Sequence, residues 1–181
     1  MKFKMIFILF NSIILLFLLL VFILPNFFGG TDIAGVFWRS VWPLPVLLAL
    51  ILLGMDIFYR YNYRLFYLLE REDWPALVLY LEDRVTKRGR YSSLLVGLLA
   101  NTYLVLSDYR AVMSLETKTA IANPGLVDAN ALIFGTARIL GKDYGEAIRF
   151  FEGKAVKGKR GTAAWVRWYS GFAQLLNGGG G

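Results

Sequence analysis

The stretch GKAVKGKRG, residues 153–161, is the part of this sequence closest to a catalytic motif. Gly153, Gly158 and Lys159 have the spacing of a phosphate-binding loop, in which backbone amides cradle phosphate oxygens. The motif next requires a serine or threonine to hold Mg²⁺, but Arg160 stands there, and a helical pattern rather than a strand precedes the stretch. We therefore interpret it as a basic loop rather than as a nucleotide site.

The cations of this loop have two interpretations. One interpretation is that they are solvated loop residues. The other is that they contact lipid head groups or an acidic partner. The four residues are Lys154, Lys157, Lys159 and Arg160. Nucleic acid is not an expected partner, because the other cations are scattered and the aromatic residues fall at the spacing of a helical core.

The remaining polar residues form no catalytic constellation. Acidic residues cluster at 70–73 and 82–83, but Arg71 and Arg84 lie among them, as on solvated helix faces. Asp56 ends an apolar segment, where a carboxylate is either functional or simply reaches the interface. The sequence has no Cys and no His, which excludes disulfides and thiolate or imidazole metal sites. We predict a protein that is not an enzyme and has no cofactor.

Two apolar segments near the N-terminus have the length of membrane-spanning helices. The first covers about residues 5–24, and its long apolar run without a clear cleavage site favours a retained anchor over a signal peptide. The second covers about residues 41–59, with Pro43 and Pro45 in its first turn or at the interface. No Pro or Gly follows between Met55 and Asp73, so we expect this helix to continue into the next domain.

The basic residues at the ends of these segments predict the topology. Lys2 and Lys4 precede the first segment and Arg60 and Arg64 follow the second, whereas the connection between them holds only Arg39. Because cytoplasmic flanks carry the excess of Lys and Arg, we predict a multi-pass protein of the inner (cytoplasmic) membrane with a cytoplasmic C-terminal domain. An extracytoplasmic domain is the alternative.

An aspartate followed by an aromatic residue recurs every 35 residues after the apolar segments. The pairs are Asp73-Trp74, Asp108-Tyr109 and Asp143-Tyr144. Each pair opens an apolar run with helical spacing, and Asp is a frequent N-cap because its side chain accepts hydrogen bonds from first-turn amides. At the third pair, Glu146 completes a capping-box pattern. The pattern predicts an all-α domain of helix pairs over residues 60–177, followed by a glycine tail at 178–181.

These helix pairs resemble the tetratricopeptide repeat, a two-helix unit of 34 residues. The third unit matches best, at Gly135, Tyr144, Ala147 and Phe151. The second unit matches at Leu99, Ala100, Tyr103, Tyr109 and Pro124, but Val112 replaces a small residue. In the first unit only Trp74 matches. The resemblance implies a short α-solenoid of about three and a half helix pairs after two transmembrane helices, and a generic helical bundle is the alternative.

Stacked helix pairs of this kind bind proteins along their first helices. Candidate partner-binding residues there are Asn101, Arg138 and Arg167. The alternative interpretation is that these side chains are solvated and bind no partner. The last helix offers a further apolar set, formed by Trp165, Trp168, Phe172 and Leu175. This set either binds a partner or packs back on the third unit, and both hold if the helix has apolar residues on opposite faces.

The sequence therefore predicts a membrane-anchored protein–protein interaction scaffold, or a subunit of a larger membrane protein complex. The expected partners are one or more proteins and membrane lipid, with a second copy of the chain as a further possibility. The alternative is a non-enzymatic integral subunit of a transporter or export machine, in which the transmembrane helices carry the main role.

Overall fold

The computed structural model describes residues 3–28, 30–155 and 160–178. Within those ranges the chain forms helices and no strand, which confirms the predicted all-α fold. It divides into two compact units, Met1–Glu72 and Asp73–Gly181, which we call the N-terminal and C-terminal units. This boundary follows the end of a long helix, whereas hydropathy alone marks the end of the second apolar segment near residue 59.

In the N-terminal unit the described residues form three helices, α1 (Phe3–Phe28), α2 (Gly30–Val41) and α3 (Pro43–Glu70). Pro43 is the first residue of α3, where its missing amide hydrogen removes no helical hydrogen bond. The helix then runs unbroken for 28 residues, which confirms the expectation that it continues well beyond the apolar segment. The link between α1 and α3 is itself largely helical.

Two helices of this unit are long and apolar enough, by length and composition, to cross a membrane. They are Lys4–Leu24 within α1 and Pro43–Glu70, which is α3. Only 11% and 6% of their apolar windows are buried within the protein. Contacts between α1 and α3 include Phe7, whose ring stacks on Tyr59 with centroids 4.1 Å apart. The side chains on the other faces point away from the protein.

The described residues of the C-terminal unit form seven α-helices. They are α4 (Trp74–Glu82), α5 (Ser93–Val105), α6 (Tyr109–Ala122), α7 (Pro124–Ala129), α8 (Ala131–Leu140), α9 (Tyr144–Ala155) and α10 (Arg160–Gly178). A π-helical segment, Asp83–Lys87, extends α4. One break between helices was not predicted. Asn130 separates α7 from α8, and its side-chain amide donates to the Leu126 carbonyl at 2.9 Å.

The three Asp-aromatic pairs begin helices as predicted. Asp73, Asp108 and Asp143 each accept a hydrogen bond from the amide three residues later, at 3.2, 3.0 and 3.2 Å. Such a cap satisfies one of the amides that have no partner inside the helix. The sequence analysis missed what precedes each cap. Glu72, Ser107 and Lys142 have positive φ angles of 54°, 57° and 64°, so the left-handed turn residue also recurs every 35 residues.

Half of the predicted capping box forms at the third turn. The Glu146 amide donates to Asp143, but the Glu146 carboxylate binds Arg149 at 2.6 Å instead of returning to the Asp143 amide. That amide donates to the Arg138 carbonyl at 2.9 Å. The left-handed residue before the cap allows this bond, because it folds the chain back over the end of α8.

The core of the C-terminal unit lies where consecutive helices meet. Gly135 on α8 lies directly against Phe151 on α9, since a Cβ atom at Gly135 would stand 2.0 Å from Phe151 Cζ. Phe151 and Ala147 are completely buried. The sequence analysis assigned Gly135 and Ala147 to small positions and Phe151 to an aromatic position of the third unit, and the structure places Gly135 directly against Phe151.

The helices of this unit contact one another in a regular order. Each packs on its neighbour along the chain, and α5 also contacts α8, which in turn contacts α10. Helices α5, α8 and α10 correspond to the first helices of the predicted pairs, and α6 and α9 correspond to the second helices. Contacts therefore form between the two helices of a predicted pair and also between the first helices of neighbouring pairs.

Candidate partner-binding surface

Helix α10 has two apolar sides. Its buried side holds Val166, Ser170 and Ala173 and packs on α9. Its exposed side holds Trp165, Trp168, Phe172 and Leu175, which are 59%, 59%, 41% and 71% exposed. At 3.6 residues per turn the centres of the two sides lie about 150° apart. The two sides are therefore close to opposite, which is the arrangement that the sequence analysis required for both interpretations to hold.

The aromatic rings of α10 are arranged differently on its two sides. Tyr169 points inward and stacks on Phe151, with centroids 5.8 Å apart and planes at 28°. On the exposed side, Trp168 stacks on Phe172 at 5.7 Å and meets Trp165 edge-on at 6.4 Å. We call Trp165, Trp168 and Phe172 the aromatic triad. Its rings contact one another and leave their outer faces open to the surroundings.

Arg138 is committed to contacts inside the C-terminal unit. Its Nη1 lies 2.8 Å from Glu116 Oε2 on α6 and 3.0 Å from the Phe134 carbonyl oxygen, and its guanidinium lies over the Phe150 ring. The two charged side chains are only 14% and 16% exposed. The sequence analysis proposed Arg138 as a partner-binding residue, and the structure shows a cation that joins α6, α8 and α9. The ion pair spans 22 residues of sequence, and no local pattern indicates it.

Asn101 and Arg167 both lie on the protein surface. Asn101 shares one side of α5 with Leu94 and Val105, seven residues before and four residues after it, and both of these are exposed. This arrangement places an amide between two aliphatic side chains. Arg167 is exposed on α10, where it directly precedes Trp168 in the sequence.

The basic loop is described only in part. Lys154 binds Asp128 at 2.5 Å and lies over the Phe150 ring, so its ammonium is already paired within the unit. Lys157 and Lys159 lie outside the described residues. Arg160 begins α10, and its side chain also lies outside the described part of the structure.

A second set of exposed residues follows the 35-residue period and was missed by the sequence analysis. Val105 ends α5, Leu140 ends α8, and Leu175 lies near the end of α10, with all three exposed. We call these residues the aliphatic row. Because α5 contacts α8 and α8 contacts α10, the row crosses three successive first helices. The 35-residue spacing of these residues is visible in the sequence, but their exposure depends on how the helices pack.

The Tyr103 hydroxyl is a polar group that joins two helices of the C-terminal unit. Burial is the main factor that raises the pKa of the Tyr103 hydroxyl above its ordinary value of 10.0, and its hydrogen bond to Glu82 and the charges of Glu82 and Asp108 add to this. That hydrogen bond joins α5 to the end of α4. Among the described residues, no cluster of three or more His, Cys, Asp or Glu is suited to a metal ion.

The fold and surface define an all-helical protein with two membrane-length helices and an exposed apolar surface. Comparisons with known proteins identify similar sequences in Treponema. A family model described as "Uncharacterised Treponema protein" matches residues 111–180. An uncharacterised protein of Treponema pallidum (strain Nichols) is 30% identical over 185 residues. The alignment covers 98% of this chain and 56% of that protein, so the chain spans little more than half of its relative's length. No solved structure matches the chain.

Proposed function

We propose that this chain is a membrane-anchored scaffold, or a subunit of a larger membrane protein complex, that holds a protein partner through helical repeats. The aliphatic row carries the proposal. Val105 and Leu140 expose aliphatic side chains at the same position of successive helix pairs, and exposed apolar surface marks interaction sites. Asn101 lies one turn before the first residue of the row and can bind a partner's backbone with its amide.

The order of helix contacts supports the proposed likeness to tetratricopeptide repeats. In stacked repeats each unit buries its apolar face on its neighbours, so helices meet both within a pair and between pairs. The contacts of α5 with α6 and α8, and of α8 with α9 and α10, follow this scheme. The repeated left-handed turn and Asp cap supply one connection geometry between the helices of each pair.

The N-terminal unit supports membrane anchoring more than transport. A subunit whose membrane helices move a solute needs polar or charged side chains along them, because hydrocarbon offers an ion no solvation. Most exposed side chains of α1 and of the first half of α3 are large and apolar. Asp56 is the first acidic residue along α3, and Arg60 follows one turn later. The distribution of Lys and Arg favours a cytoplasmic position for the C-terminal unit.

Purification of the tagged full-length chain from its native membranes tests this proposal. A double variant, Val105→Gln and Leu140→Gln, changes two residues of the aliphatic row. Ile121→Gln is the matched control, because Ile121 is 83% exposed on the second helix α6 and is not part of the row. We expect mass spectrometry to detect a stoichiometric protein partner with the unmodified chain and the control, and a loss of at least tenfold with the double variant. A partner retained by the double variant, or no partner with any form, would contradict the proposal.

A further inference from the structure

The aromatic triad differs in chemistry from the aliphatic row. Indole rings are enriched at the boundary between hydrocarbon and water, because they combine a flat apolar body with a polar N–H group. Phenylalanine is common on the apolar face of helices that lie in this boundary. Trp165 and Trp168 each leave more than half of their surface exposed. Exposure of two tryptophans and a phenylalanine on one side of a helix is typical of helices that lie in a membrane interface.

The charge of the C-terminal unit is concentrated around the same helix. Residues 73–152 carry nine basic and nine acidic residues, so this part of the chain is neutral. Residues 153–181 carry five basic residues and no acidic one. Arg167, which is exposed, lies within the segment that holds the triad. The net charge of the unit therefore belongs to residues 153–181, the part of the sequence that includes α10, and it has the sign that an anionic lipid surface attracts.

The buried side of α10 shows why the exposed side is available. Val166, Ala173 and the inward ring of Tyr169 hold the helix on α9 and the end of α8. The helix consequently needs neither the triad nor Arg167 for its attachment. A helix that is already fixed on one side presents rigid aromatic groups on the other, and little side-chain entropy is lost when these groups are inserted.

We propose that the aromatic triad inserts into the anionic lipid interface of the membrane, beside the polar head groups. The inference rests on the proposed membrane anchoring, which keeps a bilayer within reach of the C-terminal unit, and it goes beyond the scaffold function. The rings enter the boundary of the acyl region, and Arg167 binds lipid phosphate groups. A protein that covers the triad is the competing occupant, and the experiment separates the two.

The absence of cysteine from the sequence makes a site-directed label straightforward. A single nitroxide is attached at Leu175→Cys, which borders the triad and leaves its three rings intact. Matched labels are placed at Ile121→Cys, exposed on α6, and at Leu15→Cys, exposed on α1. The full-length chain is reconstituted in nanodiscs of phosphatidylcholine alone or with phosphatidylglycerol. Electron paramagnetic resonance then measures collisions of each label with oxygen, which concentrates in lipid, and with a water-soluble nickel chelate.

We expect the label at residue 175 to favour oxygen over nickel in discs that contain phosphatidylglycerol, and much less in discs of phosphatidylcholine alone. The label at residue 121 remains accessible to nickel in both. Arg167→Gln lowers the ratio of inserted to free label by about fivefold, the effect of one cation near an anionic leaflet. Replacing both tryptophans of the triad by Ala removes the preference for oxygen.

Three results would overturn the inference. Nickel accessibility at residue 175 equal to that at residue 121 would show that the triad lies in water. Shielding from both reagents in both lipid compositions would show that protein covers it, and equal oxygen preference in the two compositions would exclude a role for anionic lipid. The label at Leu15 keeps the failures distinct, because its exposure to nickel would contradict the proposed membrane anchoring itself.

Discussion

The two units of this chain place apolar residues of the same types in opposite environments. In the N-terminal unit, leucine, isoleucine and phenylalanine along α1 and α3 are mostly exposed. In the C-terminal unit, residues of the same types on α4, α5, α8 and α9 are fully buried. The difference follows from the solvent for which each unit is suited, because an apolar side chain needs a protein core in water and needs none in hydrocarbon. Apolar content alone therefore does not distinguish a core from a lipid-facing surface.

The largest expected effect contrasts two phenylalanines. Phe151→Ala removes a fully buried ring from the crossing of α8 and α9, and we expect the free energy of unfolding of the C-terminal unit to fall by about 3–5 kcal/mol. Phe17→Ala removes a ring that is half exposed on α1, and we expect a change within about 0.5 kcal/mol. Hydrogen exchange of the α8 and α9 amides in detergent micelles measures the first effect. Equal destabilisation by the two variants would show that Phe17 packs against protein and does not face detergent.

Two glycines sharpen the same contrast. Gly135→Ala places a methyl group 2.0 Å from Phe151 Cζ, so the ring must move, and we expect a cost of about 1–3 kcal/mol. Gly54→Ala on α3 adds a methyl group with no atom within 4 Å, and the better helix propensity of alanine should raise stability by up to about 1 kcal/mol. Thermal unfolding in one detergent compares the pair. Destabilisation by Gly54→Ala would reveal a partner helix at that position.

Tyr103 provides a contrast in polar groups, since its raised pKa reflects burial in the C-terminal unit. Below about pH 10 the phenol is protonated in both the folded and the unfolded chain, and its contribution to stability is complete. As the pH rises further the unfolded chain ionises first, so the free energy of unfolding falls by about 1.4 kcal/mol per pH unit until the folded pKa is passed. Denaturant titrations between pH 9 and pH 11 measure this slope. Tyr103→Phe should make the slope shallower, and an unchanged slope would assign it to other groups.

The smallest contrast concerns helix beginnings. Asp108→Ala removes the side-chain cap of α6 and should cost about 1 kcal/mol. Trp42 is the N-cap residue of α3 and its side chain makes no cap hydrogen bond, so Trp42→Ala should leave the first turn of α3 unchanged. Hydrogen exchange of the first-turn amides reports both. Faster exchange at the start of α3 in the Trp42 variant would mean that the indole itself shields that turn.

Local signals in the sequence were sufficient for much of the fold. The Asp caps and the position of Pro43 in the first turn of α3 follow from residue types within one turn of each feature. The break at Asn130 and the left-handed residues at Glu72, Ser107 and Lys142 were not predicted, because none of these is a glycine or proline. Bonds around each turn hold these backbone conformations, and such bonds depend on the neighbouring helix end.

The candidate surface was predicted less completely. The exposed residues of α10 were identified from their spacing, because an amphipathic pattern shows which side chains share a side of a helix. The engagement of Arg138 by Glu116 and of Lys154 by Asp128 was not, since these pairs lie 22 and 26 residues apart and depend on how helices pack. The packing of the helices must therefore be known before a charged residue of this protein is assigned to a binding surface.

The recurring left-handed turns have a consequence for how this protein can change over time. At Ser107 and Lys142, in turns between helices, a residue with a side chain occupies a conformation that glycine adopts at lower cost. Each turn is accordingly a place where one substitution can raise stability without altering the buried residues or the exposed aliphatic and aromatic groups. A lineage that must accept destabilising changes on its binding surface has these sites available as compensation, and a protein engineer has the same starting points.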